Sequence, residues 1–118
     1  MDTKTEQYLQ RQSPDHRLII DEIRQLILTH FPDIKETGMI EGLWYEGIFY
    51  LATIGDHVNL GVGVKGLNAD ELKHFQGKGK TQRHLKFFST ADIHPEELLA
   101  LMNLVYKRNQ EVQENPPE

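Results

Sequence analysis

The chain has 118 residues, no cysteine, 18 acidic and 13 basic residues, and a net charge of −5. This length is typical of one domain with its own core, and the lack of cysteine excludes a disulfide framework, a thiolate nucleophile and a zinc–thiolate site. The acidic balance argues against general nucleic-acid binding, which needs a basic surface, and no apolar run approaches the ~20 residues that cross a membrane.

The chain opens with polar residues that contain no apolar segment typical of a signal peptide, so we expect a cytoplasmic protein with no membrane partner. Residues 1–12 are interpreted as an N-terminal extension in which a short helix can form. Tyr8 and Leu9 stand there among polar residues, so the extension is predicted to pack lightly.

A longer helix is predicted to begin at Ser13 and Pro14, because serine is a common N-cap and proline suits the first helical position. Apolar residues then recur at helical spacing between positions 19 and 31. Pro32 ends the helix, since the residue before a proline is disfavoured in the α conformation.

The middle of the chain changes to the period of two that is typical of strands. Three antiparallel strands are predicted at residues 37–45, 48–54 and 57–64, with turns at 46–47 and 55–56. The second turn has glycine first, as a type II′ hairpin turn requires. In the third strand one face carries Val58, Leu60, Val62 and Val64, and the other carries His57, Asn59, Gly61 and Gly63. The two glycines leave bare backbone that a loop or a ligand can approach.

A short helix is predicted over residues 69–75, a fourth strand over 83–88, and a final amphipathic helix from Pro95. Strands grouped between terminal helices indicate an α+β fold. We expect a single two-layer domain over residues 13–109, in which a mostly antiparallel sheet carries the amphipathic helices on one face and leaves the other open. Residues 110–118 are predicted to be a disordered tail.

A basic, glycine-rich stretch at residues 77–84 precedes the fourth strand. Glycines allow close approach of a ligand to the backbone, and cations beside them suit a small anion. The candidate anion ligands are Lys78, Lys80, Arg83 and His84, with His57 from the open sheet face. Strand alternation places Arg83 and His84 on opposite faces, so these side chains need not converge. The stretch is not a nucleotide-binding P-loop, since a strand rather than a helix follows it. The alternative is a solvated turn whose lysines keep the protein soluble.

Five segments together resemble the DUF1801 family, also called YdhG-like. They are Tyr8-Leu9, Phe31-Pro32-Asp33, Glu36-Thr37 with Gly38-Met39, His57-Val58-Asn59-Leu60, and Gly77-Lys78-Gly79-Lys80 followed by Arg83-His84-Leu85-Lys86. Ile40 stands where the family typically has proline. The resemblance covers about residues 8–105 and implies a compact α+β fold similar to frataxin. Some relatives are regarded as frataxin-like iron chaperones, so the resemblance also makes iron binding a hypothesis.

The iron hypothesis depends on acidic side chains at the elements that correspond to the acidic ridge of frataxins. The candidate metal ligands are Asp15, Glu22, Glu36 and Glu41. Ferrous iron accepts carboxylate ligands. No two histidines stand at helical ligand spacing, however, and a solvated acidic face is the simpler interpretation.

The sequence favours a non-enzymatic binding module that uses the basic stretch and the open sheet face for a small anion or an acidic protein partner. The alternative is a frataxin-like iron-binding or iron-chaperone protein. No nucleophile elbow or other catalytic motif is present, so we name no catalytic residue and leave enzymatic activity open. The uncovered sheet face suits either a monomer or a homodimer.

Overall fold

The computed structural model describes residues 2–114, in which helices stand at both ends of a run of strands. The elements are α1 Thr3–Gln10, α2 Pro14–His30, β1 Glu36–Gly38, β2 Leu43–Tyr45, β3 Phe49–Ile54, β4 His57–Gly63, α3 Ala69–Leu72, β5 Gln82–Phe87, a 3₁₀ turn Thr90–Asp92, and α4 Pro95–Glu114. This order confirms the predicted α+β class. Among these residues, no helix is both long and apolar enough to cross a membrane.

Local sequence signals set the boundaries of α2 as predicted. The Ser13 side chain caps the helix by accepting a hydrogen bond from the backbone N–H of His16, and Pro14 occupies the first helical position. Phe31 closes the helix immediately before the proline. The buried stripe consists of Ile19, Ile20, Ile23 and Ile27, and it faces the sheet.

The five strands form one antiparallel sheet in the order β1-β2-β3-β4-β5. One face is apolar, because register pairs Phe49 with Val62 and Leu51 with Leu60, and all four are buried. Helices α2 and α4 both contact β4 on this face, and α1 contacts β1. The core therefore lies between the helices and one side of the sheet, as the amphipathic patterns predicted.

We call the opposite side the open sheet face. Strand alternation assigns to it Thr37, Trp44, Tyr50, Ala52, Ile54, His57, Asn59, Gly61, Gly63, Gln82, His84 and Lys86. The strand register links five of these in one row across all five strands: Thr37, Trp44, Tyr50, Gly61 and His84. The candidate site and the apolar surface of the open sheet face are both located relative to this row.

The prediction of one strand over residues 37–45 is wrong, because the chain turns back within it. The backbone N–H of Met39 donates to the carbonyl of Gly42, and β1 and β2 pair on either side of this turn. Gly38 has no room for a side chain, since an added Cβ would overlap the backbone of Thr5 in α1. The sheet therefore has five strands in the described chain rather than four.

The expectation that the N-terminal extension packs lightly is also wrong. Tyr8 is 3% exposed and Leu9 is 2% exposed, so α1 belongs to the core. The Tyr8 hydroxyl accepts a hydrogen bond of 2.9 Å from the backbone N–H of Thr53, beyond the point where β2 ends. Thus α1 seals an edge of β3 that would otherwise be unpaired.

Helix α4 continues to Glu114, past the predicted domain boundary at residue 109. Arg108 supports this extension by pairing with Glu71 at 2.7 Å and with Glu111 at 2.8 Å. These are polar contacts without an apolar stripe, so periodicity gave no signal for them. Of the predicted disordered tail, residues 115–118 lie outside the described part of the chain.

Candidate functional site

The basic loop, which we define as residues 77–81, is closed at its base by backbone pairing. Gln76 and His84 exchange two hydrogen bonds of 2.8 and 3.0 Å, so the chain between them must turn tightly. Gly77 begins the turn with a φ of 103°, a conformation that favours glycine. The carbonyl of Thr81 then accepts from the backbone N–H of Val64 at 3.0 Å, which fixes the loop to the end of β4.

Arg83 braces the basic loop from the helix side of the sheet. Its Nε donates to the carbonyl of Gly79 at 3.1 Å, and its Nη1 donates to the carbonyl of Leu72 at 3.3 Å. The side chain points away from His84, as strand alternation predicted. Arg83 was named as a candidate anion ligand, but its hydrogen bonds give it a positioning role for the loop.

The backbone N–H groups of the basic loop are not used as donors within the described protein. Within residues 2–114, none of the backbone N–H groups of residues 77–81 donates a hydrogen bond to another protein group. Lys78 and Lys80 alternate with the glycines, and both side chains are exposed. Successive free backbone amides beside cationic side chains are the groups from which anion-binding loops are built.

The two candidate histidines lie apart on the open sheet face. His84 borders the basic loop, because a Cβ added at Gly77 would lie 3.4 Å from its Cε1 atom and 3.5 Å from its Nδ1 atom. His57 is four residues from Gly61 along β4, which is about 13 Å in a strand. His84 can therefore join a site at the loop, whereas His57 cannot reach it.

His57 has local partners of its own. Its Nδ1 atom lies 3.1 Å from Oδ1 of Asp56, and its ring centroid lies 5.2 Å from that of Phe88. The hydrogen bond from His57 lowers the pKa of the Asp56 carboxyl. His57 thus marks the far end of the open sheet face rather than the basic loop.

A polar cleft of about 390 Å³ adjoins the basic loop and was not predicted. Thr81 and Gln82 form one wall, Lys65 lies beside them, and Asn109 of α4 contributes from the other side. Asn109 Nδ2 donates to the carbonyls of Gly63 at 2.8 Å and Val105 at 2.7 Å, which leaves its Oδ1 atom to accept. The cleft combines distant segments, so no local pattern could reveal it.

Gly63 is the one position at which the sequence indicated the cleft. Bare backbone at this position was predicted to allow close approach of a loop or a ligand. A Cβ at Gly63 would lie 2.6 Å from the carbonyl oxygen of Gly47 and 3.2 Å from Oδ1 of Asn109. The β2–β3 turn and α4 therefore both use the space that the missing side chain leaves.

Glu36, a candidate iron ligand, is already engaged by protein groups. Its carboxylate accepts from Arg24 Nε at 2.7 Å, from Arg24 Nη2 at 2.8 Å and from the Tyr45 hydroxyl at 2.6 Å. Burial alone would raise the pKa of Glu36, but the hydrogen bonds from Arg24 and Tyr45 outweigh it and lower the pKa. Burial and the bond to Glu36 raise the pKa of Tyr45.

The other candidate metal ligands are dispersed. Asp15 and Glu22 belong to α2, whereas Glu41 lies in the β1–β2 turn. Burial and the nearby Glu41 carboxylate raise the pKa of Tyr50, which places Glu41 at the rim of the open sheet face. Within the described part of the chain, no group of three or more histidine, aspartate and glutamate side chains is close enough to hold a metal ion. Iron binding stays a prediction that no contact favours.

Comparison with protein-family models gave no match, and searches of curated proteins and of solved structures also gave none. The resemblance to the YdhG-like family therefore stays a prediction.

Proposed function

We propose that this protein is a binding module for a small anion, such as a phosphate or carboxylate group, and that the basic loop holds it. One observation carries the proposal: five successive backbone N–H groups of the loop have no acceptor within residues 2–114, and two exposed lysines stand among them. Backbone donors bind an anion well because they are fixed before it arrives. The anion also adds the negative charge that Lys78 and Lys80 attract.

The surroundings of the loop support the same ligand class. His84 borders the loop on the open sheet face, and Lys65 and Thr81 border it in the polar cleft. These groups provide donors to the rest of a small ligand whose charged end lies in the loop. Because the whole protein carries a net charge of −5, the attraction must be local. The proposal therefore implies strong dependence of binding on ionic strength.

The test is titration of the ¹⁵N-labelled protein with inorganic phosphate at constant ionic strength, followed by amide chemical shifts. We expect the largest shifts at residues 77–81. Loss of both lysines in Lys78→Ala/Lys80→Ala should weaken phosphate binding by about tenfold, equivalent to ~1.4 kcal/mol for two exposed charge-assisted contacts. Arg83→Ala should also weaken binding, through loss of the two bonds that hold the loop.

The matched control is Lys4→Ala/Lys107→Ala, which removes the same charge from two exposed positions on helices outside the loop. This control should bind phosphate as the wild type does. If both double variants weaken binding equally, general electrostatic attraction explains the result and the proposed site is wrong. Shifts spread evenly over the surface, or no shifts at all, would refute it too.

A further inference from the structure

The open sheet face concentrates the apolar surface of the protein. Within residues 2–114, six large apolar side chains are exposed, and five of them lie on this face or at its rim. These five are Met39, Ile40, Trp44, Ile54 and Phe88. The sixth, Leu18, belongs to α2. Apolar side chains grouped on one face mark an interaction surface more clearly than the same number scattered singly.

The register of the sheet suggests the occupant. Consider a second copy laid face to face, related by a twofold axis that runs along β3 between the two sheets. This axis exchanges β2 with β4 and β1 with β5, and it keeps every residue in its own row. Trp44 and Gly61 occupy the same row, one strand to either side of β3. The indole of one copy therefore lies opposite the bare backbone of the other.

The shapes at this point are complementary. Trp44 is 38% exposed and makes an edge contact with Tyr50, with ring centroids 5.8 Å apart. A Cβ added at Gly61 would make ordinary contacts, 3.4 Å from Cβ of Tyr50 and 3.8 Å from Oε1 of Gln82, so this partly exposed glycine forms the floor between those two side chains. Residues of β3 lie on the axis, where Tyr50 and the 51% exposed Ile54 each meet their own counterpart, and Ala52 between them is only 5% exposed.

Charge also matches under the same axis. Lys86 lies in the row of Asn59 and Ala52, on the β5 side. On the other side of β3, the cavity wall beside Ala52 includes Glu41 of the β1–β2 turn. The axis places Lys86 of each copy opposite Glu41 of the other, so two ion pairs form with opposite charges aligned.

Asn59 adds an unsatisfied group on the same face. Its Oδ1 atom is buried and has no hydrogen-bond donor within the described chain. The same axis brings the β1–β2 turn of the second copy opposite this row. A buried acceptor without a partner is costly, but this atom has less than 1 Å² of accessible surface, so a donor from a second copy reaches it only after neighbouring side chains move.

We propose that the protein forms a homodimer through its open sheet face, with Trp44 of each copy seated against Gly61 of the other. The sheet measures roughly 24 Å across five strands, about 20 Å along β3, β4 and β5 and about 10 Å along β1 and β2. The two copies thus cover about 800 Å² in total by projected area of the strands, which is the size of a weak, transient interface. The dimer is therefore reversible, and it dissociates on dilution. This inference is tested separately from anion binding, because Lys78 and Lys80 lie outside the strands that the second copy covers, although His84 belongs to the covered row.

Sedimentation velocity over about a hundredfold range of protein concentration tests the dimer. Trp44 is the single tryptophan, so its emission should shift to shorter wavelength as the dimer forms. Ile54→Lys places two cations against each other at the axis and should weaken association by at least about tenfold. Leu18→Lys is the matched control, since Leu18 is exposed to a similar degree on α2 and should leave association unchanged.

Charge reversal gives a test that does not depend on the fold tolerating Ile54→Lys. Lys86→Glu and Glu41→Lys should each weaken the dimer, and the double variant should restore it. A monomer at every concentration would overturn the proposal. So would a dimer that Ile54→Lys leaves intact in a folded protein, or charge reversals that weaken association without restoration in the double variant.

Discussion

The ion pair between Arg24 and Glu36 yields the sharpest stability prediction. Glu36→Ala removes the carboxylate that accepts both guanidinium bonds and the Tyr45 hydroxyl. The side chains of Arg24 and Glu36 are 19% and 13% exposed, respectively, and Tyr45 is fully buried. Removing one partner of a buried pair costs about 3–5 kcal/mol, and partial exposure of Arg24 places the expected loss near the lower end. Urea unfolding should show a loss of roughly 3 kcal/mol in unfolding free energy.

The pH dependence has a defined sign. The folded-state pKa of Glu36 lies below its ordinary value of 4.5, so the ionised carboxylate stabilises the fold above that pH. This contribution is lost as the pH falls through the lowered pKa. The difference in unfolding free energy between the wild type and Glu36→Gln should therefore shrink as the pH is lowered below 4.5.

Asp21→Ala is the matched control for Glu36→Ala. Asp21 also accepts from an arginine of α2, with Arg17 Nε at 3.0 Å, but the two side chains are 40% and 46% exposed. Removing an exposed pair of this kind costs about 0.5 kcal/mol or less. If Glu36→Ala costs no more than Asp21→Ala, burial does not strengthen the Arg24 pair and the reasoning is refuted.

Two further substitutions test how the ends of the chain join the core. Tyr8→Phe removes the acceptor for the backbone N–H of Thr53 and should lower the unfolding free energy by about 1–3 kcal/mol, measured in urea; a change below about 0.5 kcal/mol would contradict the sealing role of α1. Gly66→Ala should destabilise more than Gly55→Ala by thermal unfolding. Both glycines have positive φ, but a Cβ at Gly66 would lie 2.8 Å from Cγ2 of Val112, whereas one at Gly55 meets nothing within 4 Å. Equal losses would show that backbone strain alone matters.

The parts of the fold that the sequence predicted well are those with local causes. The boundaries of α2 follow from Ser13, Pro14 and Pro32, and each acts on its immediate neighbours. The turn after β3 follows from Gly55, which has a φ of 61°. The alternation of β4 was also correct, because one face of the strand is buried and the period of two is explicit.

The wrong predictions concern features that depend on a contact with a residue far away in the sequence. The turn between β1 and β2 depends on Gly38 packing against the backbone of Thr5. No sequence pattern near residue 38 indicates that contact. Tyr8 is buried because its hydroxyl reaches Thr53, 45 residues away. Such contacts require the fold before they can be predicted, and an isolated apolar residue in a polar segment gives no periodic signal.

The candidate site shows the same division. The basic loop was visible because its glycines and lysines are consecutive. The role of Arg83 was not, since its acceptors include the carbonyl of Leu72, 11 residues earlier. The polar cleft unites Lys65, Thr81 and Asn109, which no short pattern connects. Glu36 was read as an exposed ligand because its partner, Arg24, lies in another element.

The distribution of charge connects the basic loop with the open sheet face. The chain carries 18 carboxylate side chains, yet none of the strand residues assigned to the open sheet face is acidic. The charged or titratable side chains on this face are those of His57, His84, Lys86 and Tyr50. Two copies with a charge of −5 each would repel through most of their surface. In the proposed dimer they would approach with least repulsion through this face, where Glu41 at the acidic rim would meet a lysine. In the proposed anion site, an anion would likewise meet least repulsion beside the same sheet, at the basic loop.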